Sequence, residues 1–249
     1  MSAETGIRIA HLTDSHIAPD DSLVRDIDTR QNFEAVLESI ADEHPDIIVL
    51  GGDLAAVDGD LEAYRWIESR LADIEIPYLI IAGNHDNTDN LKSVFKISSE
   101  DNEELFFAIK IGNYQLIGLD SSKGRISNIQ LDWLRETMSS GSVPSLLFMH
   151  HPPLYCGCEF MDSKYPLENR EEVFAVIQNI PTISHIFCGH YHTEKIIFLN
   201  NKSVFITPST MHQIGQAGLK YKEVSRLSGW RKIEWNKTGL KSSVTILNP

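Results

Sequence analysis

An α/β fold with helices flanking mixed β-sheets is what this chain predicts, on three observations. Short apolar runs alternate with amphipathic helical patterns, each run stops at a polar or glycine cluster, and the later sequence turns into hairpins. Early alternation followed by hairpins makes a mixed sheet, or two packed sheets, covered by helices. At 249 residues the chain suits one large domain with a well-buried core. One domain is expected over 1–249, with the C-terminal hairpin segment at about 210–249 as a small appendage.

The strands expected at 7–14, 46–53, 78–84, 145–150 and 185–190 are near-continuous apolar runs, the pattern of strands buried on both faces. The helix at 29–44 carries Phe33, Val36, Leu37 and Ile40 at helical spacing and stops at Pro45; 61–74, 128–138 and 169–180 follow the same pattern. Hairpins are expected where 105–111 and 114–119 turn at Gly112-Asn113, and where 195–199 and 203–207 turn at Asn200-Asn201. A third pairs 230–235 with 241–247.

Composition narrows the function. The net charge of −13, from 22 basic against 35 acidic residues, argues against a surface for long nucleic acid. No apolar run approaches the roughly 20 residues of a membrane helix, so no membrane partner is expected. The polar, acidic start Met1-Ser-Ala-Glu-Thr-Gly has neither the basic opening nor the cleavage site of an export signal, which points to the cytoplasm. The three cysteines, Cys156, Cys158 and Cys188, fit reduced, structural thiols there.

Five of the expected strand ends carry metal-ligand residue types. Asp14-x-His16 continues the first strand, and the period of two in extended chain would put both side chains on one side, able to share a metal; His190-x-His192 repeats the spacing. Gly51-Gly52 before Asp53, and Gly83 before Asn84 and His85, remove bulk where backbones pass a crowded centre. Each motif alone is as readily a turn, a cap or a core histidine; their joint occurrence at successive strand ends makes the case.

The ordered set Asp14-x-His16, Gly52-Asp53, Gly83-Asn84-His85-Asp86, His150-His151-Pro152-Pro153 and Gly189-His190-Tyr191-His192 resembles the calcineurin-like metallophosphoesterase superfamily over about residues 7–210. Within it, His-His-Pro-Pro, Phe160-Met161-Asp162 and Pro208-Ser209-Thr210 are similar to class III cyclic-nucleotide phosphodiesterases and their glycerophosphodiesterase relatives. The resemblance implies a four-layer sandwich of two mixed sheets and a dinuclear site. It would give one metal to Asp14, His16 and His192 and the other to Asn84, His150 and His190, with Asp53 bridging. These oxygen and nitrogen donors suit Fe, Mn or Zn. One departure stands out: Ala56 occupies a position where the superfamily commonly has an acidic or amide residue. His151 and Asp86 are expected to support the ligands rather than bind metal.

The expected activity is metal-dependent hydrolysis of a small phosphodiester by hydroxide attack, with 3′,5′-cyclic AMP first and a glycerophosphodiester second. His85 is the candidate for protonating the leaving oxygen, the alternative being a structural support. The less regular stretches 154–170 and 209–227 are expected to shape the pocket. Within them His212, Tyr155 and Phe160 are candidate substrate contacts, with Tyr165 beside them. The other readings are an exposed loop histidine and a local aromatic plug. A nuclease or other phosphoesterase, and a non-catalytic scaffold of the same fold, are the competing functions, and the resemblance also implies a homodimer.

Overall fold

The computed structural model describes residues 6–101, 103–139 and 143–248. The Met1–Thr5 segment, on which most of the export-signal argument falls, lies outside the described residues. Among the described residues no helix is long and apolar enough to cross a membrane.

The first sheet is built from β1 (Ile7–Leu12), β2 (Ile47–Leu50), β3 (Tyr78–Ile80), β12 (Ser228–Asn236) and β13 (Gly239–Leu247), in the order β13-β12-β1-β2-β3. The second holds β4 (Phe107–Ile111), β5 (Tyr114–Leu119), β6 (Ser145–Met149), β7 (Ile183–Cys188), β8 (Lys195–Leu199) and β9 (Lys202–Ile206), in the order β4-β5-β6-β7-β9-β8. A short pair, β10 (Gln213–Ile214) and β11 (Glu223–Ser225), stands apart. Helices α1 (Thr29–Asp42), α2 (Leu61–Ile74) and α3 (Thr88–Phe95) cover the first sheet, while α4 (Asn128–Ser139), α5 (Glu159–Lys164) and α6 (Arg170–Gln178) lie with the second.

The period of two along each strand sorts its apolar residues between layers. On β1, Ile7 and Ile9 enter the core between the sheets, whereas Ala10 and Leu12 pack under the helices; on β2, Ile47 and Val49 divide from Ile48 and Leu50 in the same way. Phe148, Phe187 and Phe205 stand opposite one another across β6, β7 and β9, with ring centroids 5.3 and 4.8 Å apart. Strands buried on both faces explain the unbroken apolar runs, and they make the α/β architecture two mixed sheets flanked by helices.

The C-terminal hairpin is no appendage, which corrects the sequence expectation. β12 runs antiparallel to β1 with Ile7 opposite Trp235 and Ile9 opposite Ile233. Ile233 and Trp235 sit in the inter-sheet core, so the hairpin fills the first sheet and pairs what would be an open strand edge. Two helices also lie where none was expected. α3 is capped by Asn87, whose side chain accepts from Asn90 N, and α5 is less than two turns, too short for apolar periodicity to show.

Candidate metal centre

Every sequence-predicted ligand lies on a loop that leaves the C-terminal end of β1, β2, β3, β6 or β7. The first sheet supplies Asp14, His16, Asp53 and Asn84, and the second supplies His150, His190 and His192. The site therefore straddles the seam where the sheets meet.

The expected extended geometry does not hold. β1 ends at Leu12, and Asp14, His16, Asp53, His190 and His192 all adopt left-handed backbone, with φ of 57°, 45°, 51°, 65° and 46°. Such φ values are costly for residues with a Cβ. They persist because the backbone around them is pinned: Asp14 N donates to Gly52 O (2.9 Å), His16 N to Asp53 O (3.0 Å), and His190 N to the Asp14 carboxylate (3.0 Å to Oδ2). Ser209 Oγ donates to Asp14 O (2.9 Å) and Thr210 N to Thr13 O (3.1 Å), giving the Pro208-Ser209-Thr210 tail a buttressing role.

These turns bring the donors into overlapping groups. Ligand atoms of Asp14, His16 and His192 lie within 4.8 Å of one another, as do those of Asp53, His150 and His190, and those of His16, Asp53 and His85. Asp53 Oδ2 sits between the groups, 3.3 Å from His150 Nε2 and 3.8 Å from His16 Nε2. Asp14 Oδ1 is 3.3 Å from His192 Nε2. Asn84 faces the cavity above, beside Asp53 and His85.

Three ring orientations are set by backbone carbonyls, which can only accept. His150 Nδ1–H donates to Gly51 O (2.8 Å), His192 Nδ1–H to His212 O (3.1 Å), and His190 Nε2–H to Tyr165 O (2.9 Å). The other ring nitrogen of each neutral imidazole then turns a lone pair toward the cluster, as a metal requires. His150 Nε2 is fully buried and, for all its closeness to Asp53, has no hydrogen-bond partner among the described residues. A cation between these groups would satisfy it, so the residues fit a metal pair.

The electrostatics agree. Asp14 and Asp53 are driven well below the usual carboxylate range: burial opposes their charge, but His192 and His150 respectively outweigh it. Burial lowers His16 to about 3 and His190 to about 4, keeping both neutral. Burial also opposes charge on His150, yet Asp53 and Asp14 push it up to about 9. The metal-free protein is therefore expected to hold a proton on His150 below that pH, which a cation bound there would displace. We expect Mn²⁺ affinity to rise about tenfold per pH unit between 7 and 9, with about one proton released per protein. Calorimetry in buffers of different ionisation enthalpy checks this, and a pH-independent affinity over that range contradicts it.

The surrounding residues divide by contact. Asp86 ties the loops together by accepting from Leu54 N (3.0 Å), Gly83 N (2.9 Å) and Tyr64 Oη–H (2.8 Å), while Ala56 lines the cavity without any such contact. His151 lies against His190, ring centroids 4.0 Å apart, and meets Ser121 Oγ through Nδ1. The cysteines are buried: the Asp162 carboxylate accepts from Cys156 N (3.1 Å) and Cys158 N (2.8 Å), and burial pushes the Cys158 thiol up to about 11.

Above the cluster a cavity of about 600 Å³ opens, lined also by Phe160, Tyr165, His212 and Tyr221. His212 is a buried residue rather than an exposed loop histidine, its ring 4.7 Å from that of His192. Tyr155 is not brought to this site. It is 60% exposed beneath the Arg170 guanidinium, on a separate groove. Arg25 and Tyr221 line the cavity although their motifs carried no signal. A groove of about 580 Å³ between α4 and α6 contains no comparable donor cluster among the described residues.

The calcineurin-like phosphoesterase family model matches residues 7–194, the stretch that carries all of these ligand loops. The chain belongs to that family. It is a hydrolase of phosphoric esters with a dinuclear metal site, and the clustered histidines and aspartates are its candidate metal-binding groups. This metallophosphoesterase is 37% identical over 243 residues to a protein of Fibrobacter succinogenes named probable cyclic nucleotide phosphodiesterase, covering 97% of this chain and 94% of that one. It is 30% identical to the 3′,5′-cyclic adenosine monophosphate phosphodiesterase CpdA of Escherichia coli, covering 96% and 89% of the two chains. In fold it is similar to a dimetal phosphatase from Danio rerio, with a TM-score of 0.67 at 12% identity, over 98% of this chain and all of the other.

Proposed function

We propose that this metallophosphoesterase hydrolyses small phosphodiesters, 3′,5′-cyclic nucleotides before others and cyclic AMP first among them. The observation that carries the reading is Asp53 placed between two donor groups at the floor of a cavity wide enough for a nucleotide and walled by aromatic side chains. The relatives named for cyclic nucleotides support the substrate class.

In this reading Asp14, His16 and His192 would hold one ion and Asn84, His150 and His190 the other, with Asp53 available to both. Fe, Mn or Zn suits these donors. When bound, the pair activates a water and neutralises charge on the phosphoryl oxygens. The chain's own residues do the rest. Carbonyl bonds on His150, His190 and His192 hold the ligand rings, and the dry floor beneath Asp14 and His150 keeps bulk water from competing. His85 is half-buried at the cavity edge, its ring centroid 5.0 Å from that of His16 and its backbone N–H donating to Asp53 Oδ1 (2.8 Å). From there its imidazole donates a proton to the departing alkoxide oxygen, so that diester and water become monoester and alcohol.

The test is turnover of bis(p-nitrophenyl) phosphate and 3′,5′-cyclic AMP by metal-reconstituted protein. Cleavage of the synthetic diester with no cleavage of cyclic AMP would move the substrate to another diester, such as a glycerophosphodiester. His85→Ala is expected to lower kcat by at least about 10²-fold while both ions stay bound by elemental analysis. Loss of an ion in that variant would make His85 a supporting residue instead.

A further inference from the structure

The cavity has a wall that the reaction as described leaves unused. Phe160 meets Tyr165 and Tyr221 edge-on, with ring centroids 5.7 and 5.9 Å apart, and the Arg25 guanidinium lies over the Tyr221 ring at 4.7 Å. Tyr221 Oη is 3.1 Å from His212 Nε2, and the His212 backbone oxygen is the one that orients the metal-facing His192. The wall is thus joined to the metal loop.

Arg25 is placed there deliberately by the backbone. Val24 and Ile27 exchange both backbone hydrogen bonds, 3.0 Å each, so Arg25 and Asp26 form a two-residue turn with φ of 55° and 61°. Turns of this kind favour asparagine, aspartate or glycine, and an arginine at the first position is strained. Arg226 Nη1 donates to Asp26 O (3.3 Å), tethering the turn to the segment that follows Tyr221. Glu223 pairs with Arg226 (2.8 Å), and among the described residues none forms an ion pair with Arg25. Of the described residues lining the cavity, Arg25 is the sole Lys or Arg.

From these contacts we propose that Arg25, with Tyr221 and Phe160, is a specificity-determining residue that grips a planar, acceptor-bearing group on the substrate alcohol, as a nucleobase is. The inference rests on the phosphodiesterase reading above. A guanidinium stacked on one ring keeps its edge for hydrogen bonding, and all its hydrogens are donors, so its complement needs acceptors. A nucleobase supplies these together with a π-face for the aromatic wall. A choline-headed glycerophosphodiester offers no ring and brings a cation toward Arg25.

The experiment compares kcat/KM for cyclic AMP and for glycerophosphocholine in metal-loaded wild type, Arg25→Ala, Arg25→Lys and Tyr221→Leu. The cyclic AMP to glycerophosphocholine ratio should fall about tenfold in Arg25→Ala and in Tyr221→Leu, through KM rather than kcat. Lysine, lacking the planar fork, should not restore it. Calorimetric binding of a phosphorothioate analogue of cyclic AMP should weaken by the same factor with metal content unchanged. An unchanged ratio, or an equal loss on both substrates, overturns the proposal. Should wild type turn over neither of these nor bis(p-nitrophenyl) phosphate, the phosphodiesterase reading fails on its own. The calorimetry then decides this one: analogue binding lost in Arg25→Ala supports it, and binding indifferent to Arg25, or absent from wild type, overturns it.

Discussion

Asp53→Asn is expected to lower kcat/KM for bis(p-nitrophenyl) phosphate by at least about 10³-fold and to cost the protein one or both metal ions. The substitution keeps shape and an acceptor, so the bond from His85 N to Oδ1 (2.8 Å) can survive. Only the charge disappears, from the one carboxylate among the described residues within 4 Å of both His16 Nε2 and His150 Nε2. If Asp53 lies between two ions as proposed, a neutral amide there would leave their repulsion unscreened, which is why the loss should exceed that from a supporting residue. Retention of two ions with more than about a tenth of the activity would sink the bridging role.

The same variant carries a pH signature without metal. His150 is raised from 6.5 to about 9 by its carboxylate neighbours. A raised histidine contributes stability that is fully present below its unfolded value near 6.5 and is lost as pH climbs through about 9. The Tm deficit of metal-free Asp53→Asn should therefore be largest near pH 6 and narrow toward pH 9, as differential scanning calorimetry can follow. A deficit that widened over that range would show that the pair does not act in this direction.

Gly52→Ala is expected to damage the fold and the centre together. Gly52 has φ of +97°, and a Cβ there would lie 2.6 Å from His150 Nδ1 and 2.7 Å from Gly83 N. The first is the nitrogen that donates to Gly51 O, so the methyl group strikes the bond that orients His150. Backbone strain and overpacking together cost about 2–4 kcal/mol, or on the order of 10 °C in Tm for a chain of this size. Gly112→Ala separates the two causes, because Gly112 has φ of +58° with nothing within 4 Å of its Cβ position. That control should cost about 1 kcal/mol and leave metal binding intact. Equal Tm and equal metal binding in the two variants would rule out the close approach as the reason for glycine at 52.

What the sequence by itself determined is the material of the layers and the candidate donors that the fold gathers into one cluster. Strand runs such as Ile47–Leu50 are apolar on successive residues because both faces are covered, and that is visible one residue at a time. The candidate donors at the ends of β1, β2, β3, β6 and β7 were legible for a similar reason: metal chemistry restricts which residue types can serve, and these recur at successive strand ends.

The tertiary structure decided how those pieces face one another. Asp14 and His16 converge through left-handed backbone held by Gly52 and Asp53, not through strand alternation, and no local period encodes a turn fixed from another loop. The hairpin at the C-terminus joins the first sheet because Ile233 and Trp235 match Ile9 and Ile7 across more than 220 residues of chain. Tyr155 and Tyr221 look alike in sequence, yet one lies beneath Arg170 outside the cavity and the other beneath Arg25 within it. The reason is physical: periodicity reports which faces are covered, whereas the partner that covers them is chosen by register and packing between segments far apart in the chain.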